Sequence, residues 1–282
     1  MKKNYILLGL MVAFMSTTIY SQTNKYGIRL GVGLPSIRSV DDNIYSKDYE
    51  SVAGFDGGFF ADFGITERFS IKAELAFARK GGERNGVQPV PSTTLNSTPE
   101  GQALSDYLAL IGVETIYSEF DSKAVFSYIE IPILAKYEWN LGDTWGVYVN
   151  GGPYVSFIIN PKQITNSDGQ IPIYIDEGQT IPLQVPYPPD FQTLGPAFGD
   201  FTATTDIDKD LATMDFGAAL GVGVTANITE NSELLFEVRG TYGFIPLQND
   251  IDLYGSVHMG SVAFFLGYSY SFPKKVKSAI EG

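Results

Sequence analysis

The 282-residue chain has no cysteine, one histidine (His258) and two tryptophans. Without cysteine there is no disulfide, no thiolate metal site and no lipid-attachment residue behind a leader. Charge is also scarce. Asp, Glu, Lys and Arg make up 18% of the residues, and 19 basic against 32 acidic side chains give a formal charge of −13. So acidic a chain is unsuited to nucleic acid or to polybasic docking on anionic lipid. Long apolar runs are missing too. Beyond the first residues, no stretch approaches the roughly 18 uninterrupted apolar residues of a spanning helix.

What is present in quantity is glycine (30), phenylalanine (19) and tyrosine (17), within 44% apolar residues. That is too apolar for disorder and too rich in glycine and aromatics for a helical bundle. An all-β barrel of this length forms one domain. The opening "MKKNYILLGLMVAFMSTTIYSQ" has a basic start (Lys2, Lys3), an apolar core from Tyr5 to Phe14 and a polar end. It reads as a secretory signal peptide over residues 1–22, cleaved after Ser21 or Gln22. Its removal takes the formal charge to −15.

The remaining chain alternates. In "YIEIPILAKYEW", Ile129, Ile131, Ile133, Ala135, Tyr137 and Trp139 fall on one face of a strand, and Glu130, Pro132, Leu134, Lys136 and Glu138 on the other. "KYGIRLGVGL" sets Tyr26, Ile28, Leu30, Val32 and Leu34 against Arg29 and three glycines. "MDFGAALGVGVTANI" sets Phe216, Leu220, Val222 and Val224 against Asp215, Gly217, Gly221 and Gly223. The segments beginning near Ala53, Phe69, Trp145, Glu233 and Gly260 follow the same rule, which makes eight in all. Each has about the ten residues that a tilted transmembrane strand needs.

In a soluble sandwich the bulky face would form the core. Two features oppose that here. The apolar faces end in Tyr, Trp and Phe at both ends, as interfacial girdles do. The connections also alternate between short (Thr66–Arg68, Asn140–Thr144, Thr229–Ser232) and long (Ser36–Ser51, Gly81–Val125, Asn160–Thr213, Ile245–Val257). Short turns on one side and long loops on the other are the bacterial outer-membrane pattern, with the turns periplasmic. The expected fold is therefore all-β: an eight-stranded, antiparallel, up-and-down transmembrane β-barrel over residues 23–272. Its loops are extracellular, its home is the outer membrane of a Gram-negative cell, and outer-membrane lipid surrounds it. Residues 273–282, "PKKVKSAIEG", form a short periplasmic tail.

The inner face then carries Arg29, Lys72, Lys80, Lys136 and Arg239 with Asp56, Asp62, Glu74, Glu130, Glu138, Asp215 and Glu237. An eight-stranded bore has room only for its own side chains. Near-balanced charges there should pair and fill it, because an unpaired one is costly. A conducting pore is the alternative.

The long loops hold 20 acidic and 6 basic residues, nearly all of the net charge. They form a solvated outer face, or a binding surface for a protein partner or a divalent cation. "TPEGQALSDYLALIG" reads as a helix capped by Thr98, with Pro99 first and Gly112 as its stop; Ala103, Leu104, Tyr107, Leu108 and Ile111 form its apolar face. "IPIYIDEGQTIPLQV" reads as a hairpin about its "DEGQ", followed by the stiff "PYPPDF". In "DIDKD", Asp206, Asp208 and Asp210 resemble the start of a calcium loop, but Leu211 replaces the needed glycine and no glutamate closes it. The glycines of "GVGLPS" and "GVGVTA" are explained by a crowded inner wall without a nucleotide. A lipid-modifying barrel enzyme would need a His and a Ser together with a supporting group. His258 and Ser261 lie three apart on a strand, hence on opposite faces, although another serine could approach the ring. No catalytic residue, metal ligand or cofactor is assigned.

The order of "YGIRLGVGLP", "FSIKAELAFARKGGE", "YIEIPILAKYEW", "GVYVNGGPYVSF", "DFGAALGVGV", "ELLFEVRGTYGF" and "FFLGYSYSF" resembles the PorT-like outer-membrane β-barrel family. The resemblance covers the strands, about half of the mature chain. It implies an eight-stranded barrel without enzymatic activity, and a possible link to protein secretion. The tail after Phe272 departs from barrels that end on an aromatic residue.

The function expected from all this is that of a structural, binding or complex-forming barrel, with a small pore or a lipid-modifying enzyme as alternatives. The faces imply that arginine at Val222 meets lipid while serine at Gly223 meets a polar lumen and is better tolerated. Location is the first test: the protein should fractionate with the outer membrane and migrate differently in gels before and after heating. Recovery as a soluble periplasmic protein would overturn the barrel.

Overall fold

Strict alternation gives a strand two faces that suit different surroundings, and a sheet of such strands has an apolar side to bury or to give to lipid. The computed structural model describes residues 24–41, 43–97, 99–167, 173–183 and 201–272. Eight long strands dominate it: β1 (Asn24–Ser39), β2 (Gly54–Gly64), β3 (Phe69–Arg84), β4 (Asp121–Leu141), β5 (Trp145–Ser167), β6 (Met214–Thr229), β7 (Ser232–Gly243) and β8 (Val257–Ser271). Each is hydrogen-bonded to the next in antiparallel register. β8 pairs back onto β1, from Lys25 opposite Ser271 to Ser39 opposite Val257. The ring is closed, and the eight-stranded up-and-down barrel expected from the alternation is the fold. Among the described residues no helix is long and apolar enough to cross a membrane.

The bulky faces point outward. Leu30, Phe59, Leu220, Val222 and Leu266 are exposed on the wall, and Arg29, Lys72, Glu74, Glu237 and Phe265 are buried within it. Aromatic rings edge both ends of the apolar band. Near the short turns, Tyr137 lies 4.8 Å from Trp139 and Tyr26 5.9 Å from Phe272. Near the loops, Phe216 and Tyr242 both pack on Phe244 at about 6 Å.

Four strands rise well past the ends read from the sequence. β5 is the instructive case, because its alternation breaks at Asn160. There the register against β4 shifts: Val125 faces Lys162, while Ser127 faces Ile159. Asn160 takes φ +52°, the left-handed conformation of a bulge residue. One extra residue reverses the phase, so Tyr154 and Ser156 face inward below the bulge, and Gln163 and Thr165 face the mouth above it. A strand whose phase flips reads as a loop.

The loops carry their own structure. Val87–Pro91 pairs with Thr115–Glu119. Helix α1 (Pro99–Leu110) starts at the expected proline and stops two residues before Gly112, which takes φ +75°. Leu108 is fully buried, whereas Ala103 and Ile111 are exposed, so the apolar face is narrower than the sequence suggested. The "DEGQ" hairpin forms. Ile175 donates to the Ile181 carbonyl at 3.1 Å and Leu183 to that of Ile173 at 2.8 Å, and Tyr174 bridges to Tyr117. At its tip, main-chain N–H groups of Thr180 and Ile181 hold the exposed Asp176 carboxyl below the usual carboxylate range. The expected leader (1–22), the tail (273–282), the Thr98 cap and "PYPPDF" lie outside the described residues.

One expectation is corrected. Gly223 faces the lumen, but that face is filled there: a Cβ on Gly223 would lie 2.4 Å from the Tyr148 ring and 2.6 Å from the Phe236 carbonyl oxygen. A polar lumen does not accommodate serine where a ring already lies on the backbone. Gly33, also inward, would meet nothing closer than 3.9 Å. Val222→Arg should therefore cost roughly 2–4 kcal/mol and Gly223→Ser about 1–3 kcal/mol, with Gly33→Ala near neutral. Folding into vesicles followed by urea titration checks this; a harmless Val222→Arg beside a damaging Gly33→Ala would reverse the faces.

Candidate functional site

Inward side chains of neighbouring strands meet in a bore that they must fill themselves. At its centre Glu74 of β3 accepts from three cations. Arg239 makes two bonds of 2.8 Å to its two oxygens, Arg29 Nε one of 2.8 Å, and Lys72 Nζ lies at 3.1 Å. Arg29 also donates to Asp56 at 2.8 Å, Arg239 to Glu237 at 2.6 Å, and Lys72 to Glu237 at 3.4 Å. Three cations thus face three carboxylates, all buried. The Tyr148 hydroxyl completes the set with a 2.8 Å bond to Glu237.

Smaller clusters flank this hub. Towards the turns, Lys136 binds Asp62 (3.2 Å) and Glu138 (2.8 Å), and Lys25 binds Glu233 at 2.6 Å. Towards the loops, Lys80 binds Glu130 at 2.6 Å, and the Tyr154 hydroxyl reaches Asp215 at 3.4 Å. All twelve charged residues assigned to the inner wall are there. Glu233 was missed, although it lies four residues before Glu237 on the same face of β7.

The inner wall is not only small and charged. It holds Phe60, Tyr128, Tyr148, Tyr154 and Phe265, and each of the five expected cations lies over a ring. Arg29 is 3.9 Å and Arg239 5.4 Å from the Phe265 centroid, Lys72 4.3 Å from Phe60, Lys80 5.1 Å from Tyr128 and Lys136 4.6 Å from Tyr148. Glycines paired with them on the adjacent strands leave the space for four of these rings. A Cβ on Gly217 would lie 2.6 Å from the Tyr154 ring.

Above the charges the bore turns apolar. Ala78, Ala124, Phe126, Tyr128 and Met259 of the wall pack with Leu211 and Leu247, which descend from two different loops, and Ile207 joins them. This places the "DIDKD" stretch: Ile207 and Leu211 plug inward. Among the described residues, no group of three His, Cys, Asp or Glu side chains could hold a metal ion.

His258 lies on the outer face near the loop end, stacked on Tyr242 at 5.8 Å, while Ser261 is inside the barrel. The serine at the ring is Ser256, which immediately precedes the same strand, with its Oγ 3.2 Å from Nε2. Nδ1 meets the Gly243 carbonyl at 3.1 Å, the place a carboxylate or amide side chain takes in a hydrolytic triad.

A family model described as "Outer membrane protein beta-barrel domain" matches residues 20–249. No curated protein matches the chain. Among solved structures, the chain is similar to outer membrane protein OprG from Pseudomonas aeruginosa at 10% identity, covering 90% of this chain and 98% of that one, with a TM-score of 0.40. Neisserial surface protein A gives 11% identity, 88% and 97% coverage and a TM-score of 0.35. The N-terminal β-barrel domain of Pseudomonas aeruginosa OprF gives 12%, 89% and 100%, with a TM-score of 0.31.

The hub sets a further test. Glu74→Gln strands three cations against two carboxylates and should cost roughly 3–5 kcal/mol. Adding Arg239→Met should recover part of that loss, because one stranded cation is removed. Urea titration of the single and double variants in vesicles measures the coupling, and purely additive losses would show that the hub does not act as a unit.

Proposed function

From the premise that the chain belongs to the outer membrane protein β-barrel domain family, we propose that it is a non-catalytic, non-conducting anchor. Its bore is a plug, and its acidic loops are the working surface, engaging a protein partner outside the cell. One observation carries the reading: the charges of the bore pair continuously from Lys25–Glu233 to Lys80–Glu130, and an apolar layer built on Phe126, Leu211 and Leu247 sits above them. An ion entering would have to break several buried pairs, each costly to leave half-made.

Partner chemistry follows from the surface. With 20 acidic and 6 basic residues in the long loops, the complementary face is basic, and its encounter weakens with salt. The mature protein begins after cleavage at Ser21 or Gln22. The PorT-like order of the strand motifs supports a place beside a protein-secretion apparatus as the finer reading.

Two measurements test the proposal. Reconstituted in planar bilayers, the protein should give little steady conductance; reproducible large single-channel steps would overturn the plug. Mild-detergent extraction of native membranes should retain a partner whose yield falls as salt rises from about 50 to 500 mM. A partner retained equally with the loop carboxylates replaced by amides would remove the loops from the interface.

A further inference from the structure

Above the apolar layer, the four long loops and the raised strand ends enclose a second space of about 450 Å³, within the range of small-molecule sites. It is separate from the bore, and its lining differs. Phe126, Leu211 and Leu247 form the floor, and Val90, Ile116 and Phe120 belong to its walls. Neither lysine nor arginine lines it among the described residues, and the one charged side chain is Asp210. Burial, and then the Asp210 and Asp250 carboxylates, push the Tyr254 hydroxyl up, so that wall stays neutral.

One polar group is unsatisfied. The Oε1 of Gln248, which lines the cavity, is buried and has no hydrogen-bond partner among the described residues. A buried acceptor left unpaired is costly, and rotation of the Gln248 amide into the cavity lets the N–H or O–H group of a bound molecule relieve it.

We propose that this vestibule is a binding site for an uncharged, largely apolar small molecule that carries one hydrogen-bond donor, which it presents to Gln248. The apolar surface favours the body of the ligand, since an apolar cavity of this kind takes apolar guests from water. Asp210 and the acidic loops disfavour anions, so a carboxylate or sulfonate of the same shape is rejected. The floor closes the site below, which makes it a place of capture and not the entrance to a passage. The inference is independent of the anchor reading, because it concerns a different space and a different class of ligand.

N-phenyl-1-naphthylamine, apolar and uncharged with a single N–H, is the matched probe, and 8-anilinonaphthalene-1-sulfonate is its anionic counterpart. Fluorescence titration of the protein in lipid nanodiscs, with empty nanodiscs subtracted, should give saturable binding of the first and at least ten-fold weaker binding of the second. Val90→Trp should abolish the saturable signal by filling the cavity, with heat-modifiable migration in gels confirming a folded barrel. Gln248→Leu should weaken binding of the amine about five-fold. Asp210→Asn should improve binding of the sulfonate. Signal that never saturates, or that survives Val90→Trp in a folded barrel, overturns the site. Equal binding of both probes overturns the stated ligand class.

Discussion

Glu74 accepts hydrogen bonds from Arg29 and Arg239 and an ion-pair contact from Lys72, inside a ring of eight strands too narrow for anything but side chains. The rest of the structure depends on that constraint. A charge in so small a bore has no bulk water to turn to, so it must find its opposite on another strand. The partners of Glu74 come from β1, β3 and β7, and those of Lys136 from β2 and β4. The pairs therefore tie together strands far apart in sequence, and only one register lets them all meet. The same crowding assigns Gly27, Gly31, Gly217 and Gly223, which pair with Phe60, Phe265, Tyr154 and Tyr148 on the adjacent strands, where a Cβ would meet the ring.

The apolar layer extends this division of labour upward. Below it, the polarity of the inner wall contrasts with the lipid-facing surface. Above it, the inner faces of the strands meet loops. The bulge at Asn160 belongs to this boundary: by reversing the phase of β5, it turns Gln163 and Thr165 towards the vestibule. The barrel thus carries two interiors, one filled by ion pairs and one lined by apolar side chains, with Phe126, Leu211 and Leu247 between them.

The outer rim shows how near a catalytic arrangement a barrel can come without completing one. Ser256 and His258 are in contact, but a main-chain carbonyl occupies the orienting position, and the pair faces the same way as the aromatic girdle. The stacked Tyr242–His258 pair suits the interface between lipid and water, where a ring with one polar edge is at home.

Period-two patterning determined the strands, their faces, the closure into eight and the inward direction of twelve charges, because a strand's alternation is local and survives without knowledge of its neighbours. Turn chemistry did the same for Gly112 and the "DEGQ" hairpin. Partnership was not local. That Glu74 would gather three cations, that five inner cations would lie over rings, and that Gly223 would have no room for a hydroxyl depend on side chains from strands distant in sequence sharing one layer. Glu233 was within reach of the alternation but sits beside a turn, where the pattern is shortest. The raised end of β5 escaped it because a bulge reverses the phase, and the vestibule escaped it because its lining comes from four loops with no common period. Sequence alone sets which way a side chain points; only the closed ring decides what it meets there.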